Sequence, residues 1–382
     1  MEFSLPKQVI CCLETLENAG FEAFCVGGAV RDMLLSAEPL DFDDTTNCPP
    51  QEIIKLFDKT IPTGIEHGTV TVIIDGKPIE VTTYRTEGGY SDSRHPDKVA
   101  FVGNIEDDLS RRDFTVNAIA YNPKSGIFDP FFGRLDLAKR LLRTVGEPER
   151  RFTEDALRIM RLFRFASKLD FSIESETMHA ALKLLPLLAK ISRERIMGEL
   201  EGVLLGKSAE NASPFFENGA LEFLGLPKCS LNNISQLPSD RSIRFAALFI
   251  ESGADGEAVL KELKSDNALK SQVSSLLRLY KSGAATCEDV AIKHILREHG
   301  EEIARKYIYL LGEEELSLKR LDRIIESGEP FCIAHLAVGG DDIKSAGYAG
   351  REVGEILSML INKVIEDPSL NTKEKLLGII TK

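Results

Sequence analysis

The chain has 382 residues, 43% hydrophobic and 28% charged, with a net charge of −13, so it exceeds one ordinary core and about two to four domains are expected. No run approaches the roughly 18–20 apolar residues of a membrane span, and the start MEFSLPKQVICCLETLENAG lacks the basic and apolar regions of a signal peptide; a cytoplasmic protein without a membrane partner is expected. Seven dispersed cysteines without a CxxC pair argue against a disulfide framework or zinc site, and no histidine precedes an aspartate, which disfavours a metal-dependent phosphohydrolase domain.

In chain order, Phe24–Val26 reads as a short strand, broken by Gly27-Gly28 and followed by a helix over Ala29–Ser36. Leu40–Asp44 is a second strand candidate and Gln51–Phe57 an amphipathic helix. Two β-branched runs, Thr69–Ile74 and Ile79–Tyr84, flank Asp75-Gly76 and predict a hairpin. The Gly-, Ser-, Asp- and Pro-containing stretch from Arg85 to Asp97 predicts a mobile loop. From about Leu137 the periodicity turns helical, with runs over Glu154–Lys168, Ser175–Leu188, Arg193–Leu205, Arg241–Phe249, Glu257–Leu263, Ala268–Lys281, Glu288–Glu298, Glu301–Leu311 and Leu316–Glu326. The fold class is therefore α+β: a small mixed-sheet head followed by an elongated all-helical remainder. The overall charge is acidic, yet from Arg134 to Lys168 ten basic residues stand against five acidic ones, and phosphate contacts depend on such local excess.

Leu40-Asp41-Phe42-Asp43 places two acids at i and i+2. On a strand both leave one face, with Phe42 turned to the core and Asp44 facing away, supporting its neighbours or solvated. Two close carboxylates repel unless a cation lies between them; Mg²⁺, which takes a few hard oxygens plus substrate phosphates, suits the pair. Upstream, Gly27-Gly28-Ala29-Val30-Arg31-Asp32 joins a strand to a helix. Its glycines let backbone N–H groups approach a phosphate, and Arg31 supplies a cation for a polyphosphate tail. Glu80, between apolar Ile79 and Val81 on the hairpin, is a candidate third acid. Two metals so held would activate a hydroxyl and steady a departing pyrophosphate. His67 and His95 lie near these motifs without an assigned role.

VGGAVRD, LDFDDTT, RRDFTVNAIAYN (Arg111–Asn122), DPFFGRLDLAKRLLR (Asp129–Arg143) and EDALRIMRLFRFA (Glu154–Ala166) follow in order. This series resembles the bacterial class II CCA-adding enzymes, tRNA nucleotidyltransferases of the polymerase-β-like superfamily. The likeness continues at Gly340-Asp341-Asp342-Ile343 and Asn371-Thr372-Lys373-Glu374. It implies a catalytic head over 1–140, a base-recognising neck over 141–225, a body over 226–312 and a tRNA-binding tail over 313–382. It also implies that Asp41 and Asp43 hold metal, that Gly28 and Arg31 meet the triphosphate, and that Arg112 touches the nucleotide. Asp155, Arg158, Arg161 and Arg164 would line the base and phosphate site. The implied partners are the tRNA 3′ end and acceptor arm, CTP and ATP. The 85–97 loop looks full length, as in relatives that complete CCA, and in those that add A alone, rather than in those that stop at CC.

Base choice can be derived from donor chemistry. An ionised Asp only accepts hydrogen bonds and an Arg only donates them. Cytosine and adenine each pair an amino donor with a ring-nitrogen acceptor, whereas uracil and guanine present the reverse. Asp155 and Arg158, three residues apart on one predicted helix, would therefore accept C and A and reject U and G. Arg158, Arg161 and Arg164 form an i+3 row, opposite Ile159, Met160, Phe163 and Ala166. The rival readings are an A-adding enzyme or poly(A) polymerase of the same superfamily, a small-molecule nucleotidyltransferase, and a non-catalytic RNA-binding protein.

Overall fold

The computed structural model describes residues 3–88, 98–312 and 314–380. It is built of two compact units, residues 1–223 with 227–231, and residues 224–226 with 232–382.

The first unit opens with α1 (Lys7–Asn18), β1 (Ala23–Val26), α2 (Gly28–Leu34), β2 (Asp43–Thr46) and α3 (Pro50–Leu56). Next come β3 (Thr60–Gly64), β4 (Thr69–Ile74) and β5 (Lys77–Thr83). β4 and β5 are the expected hairpin, turning on Asp75 and Gly76 with φ of 50° and 77°, the left-handed pair that a two-residue turn demands. A separate ribbon pairs β6 (Arg85–Gly88) with β7 (Lys98–Phe101), so the predicted loop is extended where it is described; Gly89–Asp97, with His95, lies outside the described residues. α4 (Ile105–Ser110), β8 (Ala120–Asn122) and β9 (Gly126–Phe128) complete the seven-stranded sheet, ordered β3-β4-β5-β2-β1-β8-β9 and mixed because β2 and β5 run parallel. α1 covers it with Val9, Cys12, Leu13 and Leu16.

The register explains why chemistry gathers at one edge. Val26, the last residue of β1, pairs with Asp43 on one side and Ala120 on the other, and Asp43 in turn pairs with Glu80. The Gly27-Gly28 turn therefore leaves the sheet beside Asp43.

Helices then follow as α5 (Gly133–Ala138), α6 (Pro148–Glu154), α7 (Leu157–Leu169), α8 (Ser175–Lys183) and α9 (Arg193–Leu204). In α7, Ile159, Met160, Phe163 and Ala166 are all fully buried, as the apolar row predicts. The second unit is helical among its described residues. One core gathers Leu276, Ile295, Tyr307 and Leu321; another gathers Ile343, Leu360, Ile361 and Leu376. Its longest helical run, Asp289–Leu311, kinks at Gly300 (φ 78°), the break expected between the 288–298 and 301–311 runs. All seven cysteines are free, and no helix among the described residues is long and apolar enough to cross a membrane.

Candidate active site

A cavity of about 470 Å³ lies in the first unit, within the range of small-molecule pockets. The head contributes Gly27, Gly28, Arg31, Asp43, Arg112 and Asn117. The stretch from α6 to α9 contributes Asp155, Arg158, Arg161, Arg164, Phe165 and Arg195. Eight of the ten residues expected from sequence line it. The other two, Asp41 and Glu80, line an adjoining cavity of about 740 Å³ that also includes Asp43, so Asp43 borders both.

The carboxylate edge differs in detail from the period-2 expectation. β2 starts at Asp43, so Asp41 and Phe42 precede the strand; Asp41 is exposed and Phe42 only half-buried. On one side the partner runs out: β1 ends at Val26 opposite Asp43 and turns away at Gly27. Packing around Asp43 raises its carboxyl above the ordinary value; Asp41 adds to the rise and Arg112 opposes it. The two acids thus feel each other, as a shared cation would require. Glu80 is exposed between buried Ile79 and Val81.

Asp44 is neither solvated nor a visible support. It is 1% exposed, and apart from a weak thiol contact with Cys12 neither carboxyl oxygen has a partner among the described residues; burial pushes it up to about 8.

Among the described residues no three Asp, Glu, His or Cys side chains converge as a ready metal cage. Two hard carboxylates beside open space fit an ion whose remaining ligands come from substrate phosphates and water, the habit of Mg²⁺.

The glycine turn is required by geometry. Gly27 has φ 72°, and a Cβ there would stand 2.8 Å from Arg112 Nη1, whereas one on Gly28 meets only an ordinary contact. Arg31 is 4% exposed and is held by Asp32 and by Asn117 Oδ1 at 2.7 Å. Arg112 reaches Asp108 at 3.5 Å, but its Nε–H is buried with no partner among the described residues. Burial presses this guanidinium below its ordinary value, while Asp108 works the other way. An acceptor arriving at Arg112, such as a phosphate oxygen, would relieve that cost.

In the neck, Asp155 does not lie on a helix with Arg158. It ends α6 in an extended conformation (φ −138°, ψ 105°), and α7 begins at Leu157. Its Oδ1 accepts the Leu157 N–H at 3.0 Å and its Oδ2 accepts from Arg195 Nη2 at 3.2 Å. The two residues are neighbours at a helix break rather than along a continuous face.

Arg158, 8% exposed, donates through Nη1 to Glu154 and the Arg151 carbonyl, and through Nη2 to the Arg111 carbonyl at 3.0 Å. That leaves two of its five N–H donors uncommitted among the described residues. Arg161 places Nε and Nη2 on Asp113 Oδ2 at 2.8 and 2.6 Å, and Arg164 pairs with Glu199. Burial works against the Asp113 charge, yet Arg161, Asn117 and the Phe114 N–H hold its carboxyl down to about 2.

Asp113, Asn117, Phe165, Arg195 and Glu199 were not singled out by sequence reasoning. Asp113 and Asn117 sit inside the RRDFTVN motif, which was a usable signal; Arg195 and Glu199 carry none. The carbonyl of His67 accepts from Arg85, and no role at the cavity follows for it.

Residues 23–143 match the family model of the poly A polymerase head domain, and 170–224 match the model described as the probable RNA and SrmB-binding site of polymerase A. Asp155 to Arg164 fall between these matches, but relatives align across them. The CCA-adding enzyme of Lactobacillus delbrueckii subsp. bulgaricus is 38% identical over 382 residues, covering 96% of this chain and 95% of the relative. That of Geobacillus sp. (strain WCH70) is 39% identical, covering 97% and 95%. The solved Bacillus stearothermophilus CCA-adding enzyme in complex with CTP superposes with a TM-score of 0.82 at 31% identity, covering 98% of this chain and 96% of that one.

Proposed function

The chain belongs to the CCA-adding enzyme family, and from that premise we propose that it completes the CCA end of tRNA from CTP and ATP by a two-metal mechanism, releasing pyrophosphate at each addition. The observation that carries this reading is one cavity bordered by Asp43, the Gly27 turn and the Asp155–Arg158 pair. Asp41 and Asp43 would hold Mg²⁺, with Glu80 across the sheet in support; such ions would activate the tRNA 3′ hydroxyl and steady the leaving pyrophosphate.

The remaining work belongs to side chains. Gly28 leaves room for the triphosphate, and Arg31, Arg112, Arg161 and Arg164 neutralise it. Asp155, oriented by Arg195, accepts the amino group of C or A. A free N–H of Arg158 serves the adjacent ring nitrogen. Uracil and guanine would leave acceptor against acceptor in a largely buried place. No nucleic-acid template is then needed. The helices beyond residue 141 would serve as neck, body and tail over the ranges assigned from sequence, gripping the acceptor arm largely through phosphates and shape.

Incorporation of labelled CTP and ATP into tRNA lacking its CCA end tests this in the cytoplasmic setting we assign. The wild-type protein with Mg²⁺ adds both. Addition of neither, or of ATP alone, contradicts the reading.

A further inference from the structure

Three guanidinium carbons stand over the ring of Phe165: Arg164 at 4.5 Å from its centroid, and Arg31 and Arg161 each at 5.3 Å. The ring is 5% exposed, meets Phe114 edge-on at 5.8 Å, and lines the nucleotide cavity. The arginines come from two separate segments, α2 and α7. Each is also held by polar partners: Arg31 by Asp32 and Asn117, Arg161 by Asp113 and Arg164 by Glu199. Those acids belong to three different segments, and the ring face is the surface over which all three cations meet. An aromatic face attracts cations through its quadrupole, more strongly where water is excluded, and a planar guanidinium can stack on it.

We propose that Phe165 is a positioning residue that gathers Arg31, Arg161 and Arg164 into one preformed receptor for the triphosphate of the incoming nucleotide. The inference rests on the nucleotide-site reading above and adds a division of labour. The ring sets affinity for the polyphosphate whatever base it carries, while Asp155 and Arg158 set the base. Arg158 is not among the cations found over the ring.

The test uses the full chain with Mg²⁺ and no tRNA, measuring binding of inorganic tripolyphosphate, CTP and UTP by calorimetry. Wild type is compared with Phe165→Leu and with a protein carrying pentafluorophenylalanine at position 165, whose ring is similar in size but reversed in quadrupole. Both changes are expected to weaken tripolyphosphate and CTP by a similar factor, about tenfold, while leaving the ranking of CTP over UTP as in wild type. If the Leu protein does not fold, the fluorinated ring decides alone. Binding by the fluorinated protein equal to wild type overturns the inference, as does a loss seen with CTP but not with tripolyphosphate; in both cases the nucleotide-site reading stands. Wild-type protein that binds neither ligand overturns that reading as well.

Discussion

The carboxylate edge of the head and the arginine face of the neck handle charge in opposite ways. At the edge, Asp41, Asp43 and Glu80 are exposed, with Asp43 raised above its ordinary value by its surroundings. On the arginine face each cation is paired with an acid: Arg158 with Glu154, which also holds Arg150 and Arg151, Arg161 with Asp113, and Arg164 with Glu199. In the proposed metal site, the Asp43 carboxylate, whose charge burial disfavours, would be relieved by an arriving cation. Compensated arginines instead hold their shape before the ligand arrives, so less order has to be created on binding. On the proposed reading the edge serves capture and the arginine face preorganisation.

That contrast can be broken from either side. Asp43→Ala removes the acid common to both cavities and is expected to lower nucleotide addition by at least about 10³-fold, read by single-turnover incorporation; a variant as active as wild type would mean the edge does not hold metal. Asp155→Ala leaves the phosphate site intact and should reduce discrimination against UTP and GTP by roughly 10²-fold, measured as ratios of kcat/KM.

A third prediction concerns the fold rather than turnover. The Asp113 carboxyl lies at about 2 in the folded chain against an ordinary 3.8. The folded state binds fewer protons there than the unfolded chain between those values. Its contribution is therefore complete above about pH 4 and is lost as pH falls toward 2, amounting to about 2 kcal/mol. Asp113→Asn should flatten the acid limb of Tm against pH in that window; an unchanged limb would show that Arg161 does not depend on this acid. The smallest effect is expected at Asp44, whose buried carboxyl lacks a strong partner. Asp44→Leu should stabilise the protein by about 1–2 kcal/mol in urea unfolding. Destabilisation would indicate that the carboxyl supports the edge after all.

Local patterns were legible in the sequence and pairings across the chain were not. The hairpin at Asp75-Gly76, the apolar side of α7 and the helical runs of the second unit follow from periodicity and turn chemistry, and they stand where those signals put them. The Asp41/Asp43 geometry was misjudged because strand extent depends on a partner, and β1 stops at Val26. Asp155 was read into a helix although Asp readily bonds the backbone two residues on and so interrupts helices; its bond to the Leu157 N–H does this. The Arg195 and Glu199 pairings span 40 and 35 residues and leave no local trace. The residues that line the cavity were thus largely readable, while the scaffold that orients them required the fold.

Primer extension of a tRNA lacking its 3′ CCA, with each of the four nucleotides supplied singly and in pairs, bears most directly on selection by protein side chains. The expected product carries C, C and then A when CTP and ATP are both present, with UTP and GTP used at least about 10³-fold less efficiently. Comparable use of UTP or GTP by the wild-type protein would contradict it.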